Sequence, residues 1–90
     1  MKILVAEDDA ANRKFLTKLL AKFGDVTVVG DGFQAVKNYM QALDDREPYQ
    51  LVCLDVMMPK IDGYKALDAI RGIEGKYALI AQEKAKIIMI

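Results

Sequence analysis

The sequence predicts an α/β fold: a parallel, doubly wound sheet in the order βαβαβαβ. Three observations carry this. Apolar runs without helical period recur at the start of the chain, at 50–55 and at 86–90, as expected of strands covered on both faces. Segments of amphipathic helical period lie between the strands. The first and third apolar runs each end on carboxylates, where open α/β sheets place their chemistry.

Lys2-Ile-Leu-Val-Ala6 reads as the first strand, followed by Glu7-Asp8-Asp9. A helix is expected over about 10–23, with Phe15, Leu16, Leu19, Leu20 and Phe23 as its apolar stripe, Asp9 as its cap and Gly24 as its stop. A short strand at 26–29 leads through Gly30-Asp31-Gly32 into a second helix over roughly 32–45. Asp31 and Gln34 have capping-box spacing there, and Phe33, Val36, Met40 and Leu43 form the expected stripe. Pro48 disfavours helix in the residue before it, so the chain re-enters the sheet at 50–55. A third helix starts at Asp62-Gly63, buries Leu67 and Ile70, and is expected to weaken near Gly72 and Gly75. Residues 76–85 are compatible with a helical turn or a long connection. Residues 86–90 read as the fourth strand.

Ninety residues make a single domain, 1–90. With 13 basic and 13 acidic side chains the chain has no cationic excess for nucleic acid. The apolar start is too short for a membrane span or signal peptide. Cys53 is the single cysteine, so no internal disulfide forms; it reads as a buried, inert thiol in a chain suited to a reducing compartment. There is no histidine, which removes imidazole acid–base chemistry and imidazole metal ligands.

Both acidic strand ends fall on one edge of a doubly wound sheet, so Glu7, Asp8 and Asp55 are expected to converge, with Asp9 as a helix cap and possible accessory ligand. Like charges this close raise each other's pKa values. A hard divalent cation resolves the conflict, and an all-oxygen set favours Mg2+, Mn2+ or Ca2+. Beside such a cation Asp55 is a credible nucleophile toward phosphorus, giving an aspartyl phosphate.

At these residues the chain resembles the receiver domain of two-component response regulators. Ile3-Leu-Val-Ala-Glu-Asp8 is similar to the first strand with its acidic pair, and Gly30-Asp31-Gly32 to the second βα junction. Leu54-Asp-Val-Met-Met-Pro-Lys-Ile-Asp-Gly63 resembles the phosphoacceptor motif, the specific part of the likeness. The resemblance covers the whole chain and implies a flavodoxin-like fold. It implies that Asp55 accepts a phosphoryl group from a sensor histidine kinase or phosphotransfer protein in the cytoplasm. It also implies that Asp8 and Asp55 ligate Mg2+ (or Mn2+), that the backbone carbonyl of Met57 is a further ligand and that Glu7 acts through water. Arg13 falls where the family often has a basic residue. Such a module catalyses only its own phosphorylation and is not a turnover enzyme. The family pattern continues past the fourth strand with a Ser or Thr, expected directly after Ile90, then a helix, a strand ending in Lys-Pro and a last helix. The 90 residues contain none of these, so phosphotransfer is expected to survive weakly and the switch as the family runs it is not expected to operate. An unpaired strand 86–90 and an uncovered first helix predict self-association, including a homodimer through that edge.

Two other classes compete. An aspartyl-nucleophile phosphatase of the haloacid-dehalogenase type needs a second acid two residues after the nucleophile, where this chain has Met57. A docking module that is not phosphorylated fits the missing hydroxyl and lysine but not the intact Glu7, Asp8 and Asp55. A dinucleotide-binding domain is excluded, since no glycine-rich turn follows the first strand.

Overall fold

Alternation of β-branched runs with amphipathic segments leaves few ways to bury both, and the chain adopts the one expected. A computed structural model describes residues 1–90. The elements are β1 (Lys2–Ala6), α1 (Ala10–Leu20), β2 (Asp25–Val29), α2 (Gly32–Asp44), β3 (Leu51–Leu54), α3 (Gly63–Lys76) and β4 (Lys86–Met89), with a short 3₁₀ turn at Ala81–Glu83. All strands pair in parallel in the order β2-β1-β3-β4. Such pairs require crossovers, which the helices supply on both faces.

The period-2 geometry of β1 divides the core. Leu4 and Ala6 join Val52, Leu54, Ala35, Tyr39, Ala66 and Ile70 beneath α2 and α3. Ile3, Val5 and Cys53 face the other way, against Leu16 and Leu20 of α1. The Cys53 thiol is buried, and burial pushes its pKa up.

The α2 stripe needs correction, and α1 leaves apolar side chains exposed, as expected of an uncovered helix. In α2, Val36 and Leu43 pack against the core as expected, but Phe33 and Met40 are exposed and the most deeply buried side chains are Ala35, Tyr39 and Ala42. Alanines at 35 and 42 let α2 approach the sheet and α3 closely, and the one large side chain on that face, Tyr39, fills the space between them. In α1, Leu16 and Leu20 are half-buried but Phe15, Leu19 and Phe23 are exposed. No second helix in these 90 residues lies beside α1 on its side of the sheet.

Boundaries also shift. Helix α1 ends at Leu20 and turns tightly through Phe23, whose N–H donates to Leu20 O. The chain must leave the helix there, because Asp25 N–H donates to the carbonyl of Met1 at the sheet edge. Helix α3 runs through Gly72 and Gly75 to Lys76. Its buried face is Ala66, Ile70 and Glu74, so the glycines sit where nothing is packed. Glu74 is fully buried and accepts hydrogen bonds from Tyr39 Oη (2.6 Å), Arg71 Nη1 (2.7 Å) and the Ala85 N–H (2.9 Å). The same Arg71 nitrogen donates to Ala85 O at 3.0 Å. This network joins α2, α3 and the segment entering β4.

Candidate functional site

The ladder carries Glu7 and Asp55 to the carboxyl edge of the sheet as neighbours. Val5 is in register with Cys53, so the residues two further on stand side by side. Their main chains are pinned as well: Glu7 N–H donates to Val29 O and Asp55 N–H to Ala6 O, each at 3.0 Å. Both side chains share the parity of Ile3, Val5 and Cys53, which is the α1 side of the sheet.

Glu7, Asp8 and Asp55 each present a carboxylate oxygen, and the three oxygens lie within 4.8 Å of one another. Glu7 is buried, Asp55 half-buried and Asp8 exposed. Glu7 Oε2 is buried without a hydrogen-bond partner. Its carboxyl is pushed up to about 7, first by burial and then by its neighbour Asp55, with Asn12 pulling the other way. A buried orphan acceptor is costly. Three converging carboxylates with one unsatisfied oxygen are a donor set that fits a hard divalent cation.

The cluster opens into a cavity of about 290 Å³ lined by Glu7, Asn12, Phe15, Leu16, Asp55 and Ile90. One side is therefore acidic and the other apolar. Asp9 takes no part in the cluster: its carboxylate caps α1, accepting from Asn12 N–H at 2.9 Å. Asp62 likewise caps α3 through Lys65 N–H, also at 2.9 Å. Met57 sends its side chain to solvent, while its N–H donates to Asp55 Oδ1 at 3.0 Å. Arg13 stands on the same edge: a Cβ on Gly30 would lie 3.7 Å from its Nη1.

Backbone packing shapes the loop between β3 and α3. Gly63 N–H donates to Val56 O at 3.1 Å, closing the loop on itself. A Cβ on Gly63 would lie 2.3 Å from Asp55 O, so only glycine permits that approach. Lys60 adopts a left-handed backbone, φ 69°, and its Nζ reaches Asp31 Oδ2 at 3.4 Å.

Sequence reasoning missed two contributors here. Asn12 is one helical turn beyond Asp8, and that spacing signals a side chain returning to the same edge. Lys60 lies 29 residues from Asp31, and only the fold brings the two junctions together.

The sequence pattern of the response regulator receiver domain matches residues 3–90. This chain belongs to the response regulator receiver domain family. Relatives of the receiver domain include hybrid signal transduction histidine kinase I of Dictyostelium discoideum, 40% identical over 74 residues, covering 81% of this chain and 4% of the relative. The transcription factor SKN7 of Saccharomyces cerevisiae is 34% identical over 80 residues, covering 88% of this chain and 12% of that protein. Among solved structures, the receiver domain of the histidine kinase CKI1 from Arabidopsis thaliana, complexed with Mg2+ and BeF3-, superposes with a TM-score of 0.86. It is 30% identical, and the match covers 98% of this chain and 63% of that one. The chain thus spans under two thirds of that solved receiver and a small part of each curated relative. The flavodoxin-like receiver fold is shared throughout. No helix is long and apolar enough to cross a membrane.

Proposed function

We propose that this receiver domain is a phosphoacceptor module of a two-component system, taking a phosphoryl group on Asp55 from a histidine kinase or phosphotransfer protein in the cytoplasm. The observation that carries the reading is the cluster of Glu7, Asp8 and Asp55 with its unpartnered buried oxygen. Asp8, Asp55 and the Met57 carbonyl would hold Mg2+ (or Mn2+), with Glu7 contributing through water. Support comes from the CKI1 receiver, which was crystallised with Mg2+. Bound there, the cation supplies charge neutralisation for the transferring oxygens.

The chain's own groups handle position. The Met57 N–H donated to Asp55 Oδ1 fixes the rotation of the carboxylate, one oxygen of which attacks phosphorus while the other would face the cation. The new O–P bond forms as the N–P bond to the donor imidazole breaks, and the imidazole takes up a proton. Register with β1 and the closed loop fix the carboxylate, so catalysis is mainly positioning. Exposed Phe15 and Ile90 and half-buried Leu16 offer an apolar wall beside the nucleophile.

The test is intact mass after treatment with a small-molecule phosphodonor. One phosphoryl group is expected with Mg2+, none with chelator and none in Asp55→Ala. No gain in a folded wild-type sample would leave the docking reading. A specific feature also favours homodimerisation: β4 pairs only with β3, so its outer edge is open, and Ile88 is 49% exposed on the α1 side of the sheet.

A further inference from the structure

We propose that the junction between β2 and α2, through Asp31 and Gly32, is a clamp that positions the phosphoacceptor loop 55–62, with Lys60 as the loop's half of the clamp. This deepens the assignment of phosphotransfer to Asp55 and rests on it.

Four observations point to the clamp. Asp31 is 5% exposed, although a helix cap needs no burial. Its Oδ1 caps α2 through Gln34 N–H at 2.8 Å, and its Oδ2 faces Lys60 Nζ at 3.4 Å and Gln34 Nε2 at 3.4 Å. Gln34 therefore meets the carboxylate and does not close a reciprocal capping box. Lys60 holds a left-handed φ of 69°, which costs a residue with a side chain and persists only where surroundings enforce it. A Cβ on Gly32 would lie 2.3 Å from Ile61 O, so the loop's main chain rests directly on the start of α2. The segment between Asp55 and Gly63 is thus held on one side by its own bond from Gly63 N–H to Val56 O and on the other by the junction.

A surface ion pair contributes little to global stability, and Lys60 is largely exposed. Its value lies in where it sets the loop. Met57, whose N–H orients Asp55 Oδ1, is three residues before Lys60. Small displacements of positioning groups cost far more in rate than in stability. Asp31 and Lys60 are positioning residues; neither needs to touch the phosphoryl group.

The experiment compares the whole chain with Lys60→Met, Lys60→Arg and Asp31→Asn. Asparagine caps a helix about as well as aspartate, so Asp31→Asn removes the ion pair and keeps the cap. Mg2+ affinity is read by calorimetry, phosphorylation rate by intact mass and stability by urea midpoint. Lys60→Met and Asp31→Asn are expected to weaken Mg2+ binding and slow phosphorylation, each by about tenfold. The urea midpoint of Lys60→Met stays at the wild-type value and Lys60→Arg restores function. Lys60→Met with wild-type affinity and rate would overturn the clamp, as would an equal loss in Lys60→Arg. Should the wild-type chain itself neither bind Mg2+ nor gain mass, phosphotransfer fails as a function. Hydrogen exchange at the Met57 and Gly63 amides then decides the clamp: faster exchange in Lys60→Met upholds it, and unchanged exchange overturns it.

Discussion

Glu7 shows how one side chain is kept at a cost to the fold. Its Oε2 is buried and unpartnered beside Asp55, and its carboxyl is pushed up to about 7. Glu7→Gln removes the like-charge conflict while retaining shape. Without metal this variant is expected to be more stable than wild type by about 1 kcal/mol, and Mg2+ should raise its melting temperature by less than it raises that of wild type. Thermal melts with Mg2+ and with chelator check both parts; a destabilised metal-free Glu7→Gln would sink the account. The convergence of Glu7, Asp8 and Asp55 was legible in the sequence because each acid closes or follows an apolar run, and parallel strands end on one edge. The environment of Glu7 was not, since burial of an acid depends on what α1 lays over it.

At the scale of elements, two features make opposite predictions. Gly72 and Gly75 lie inside α3, where an added Cβ would meet nothing within 4 Å, and neither has a positive φ. Alanine at either site should stabilise the protein by about 0.5–1 kcal/mol, read as a higher urea midpoint with unchanged slope. Glu74 is the reverse case. Burial raises its pKa, but bonds from Tyr39, Arg71 and the Ala85 N–H outweigh burial and the net direction is down. A folded pKa below the unfolded one means the ionised form stabilises the fold: the contribution is complete above the ordinary carboxylate range and fades as pH falls through the folded value. Glu74→Ala should cost about 3 kcal/mol near neutral pH, and the gap from wild type should narrow on acidification. Urea melts across pH 3 to 7 (roughly the window over which carboxylates titrate) measure this. Here the sequence was hard to read for a physical reason. Tyr39 and Glu74 are 35 residues apart, and a stripe of Phe33 and Met40 looks more apolar than one of Ala35, Tyr39 and Ala42. The tighter contact selects the small residues. Strand positions, by contrast, were legible because β-branched runs bounded by glycine and acids have few other uses.

At the scale of the whole molecule, coverage of the two sheet faces is unequal. Helices α2 and α3 seal one face, while α1 alone serves the other and leaves Phe15, Leu19 and Ile88 exposed. The exposed apolar face of α1 is the one expected of a first helix without a neighbour on its side of the sheet. The 90-residue chain is therefore expected to associate with a second copy of itself as concentration rises. Ile88→Lys, which puts a charge on the open edge, should shift it toward monomer. Sedimentation over a concentration series reads the change, and a wild-type chain that stays monomeric at high concentration would dismiss the association.

The lone thiol of Cys53, sealed two positions before Asp55, gives this molecule a built-in clock. A thiol reagent reaches it only when the sheet parts from α1, so the labelling rate reports the frequency of that opening. A ligand that binds at the edge of the closed form and is lost on opening must slow the clock by the factor one plus its concentration over its Kd, with no substrate, chromophore or tag required.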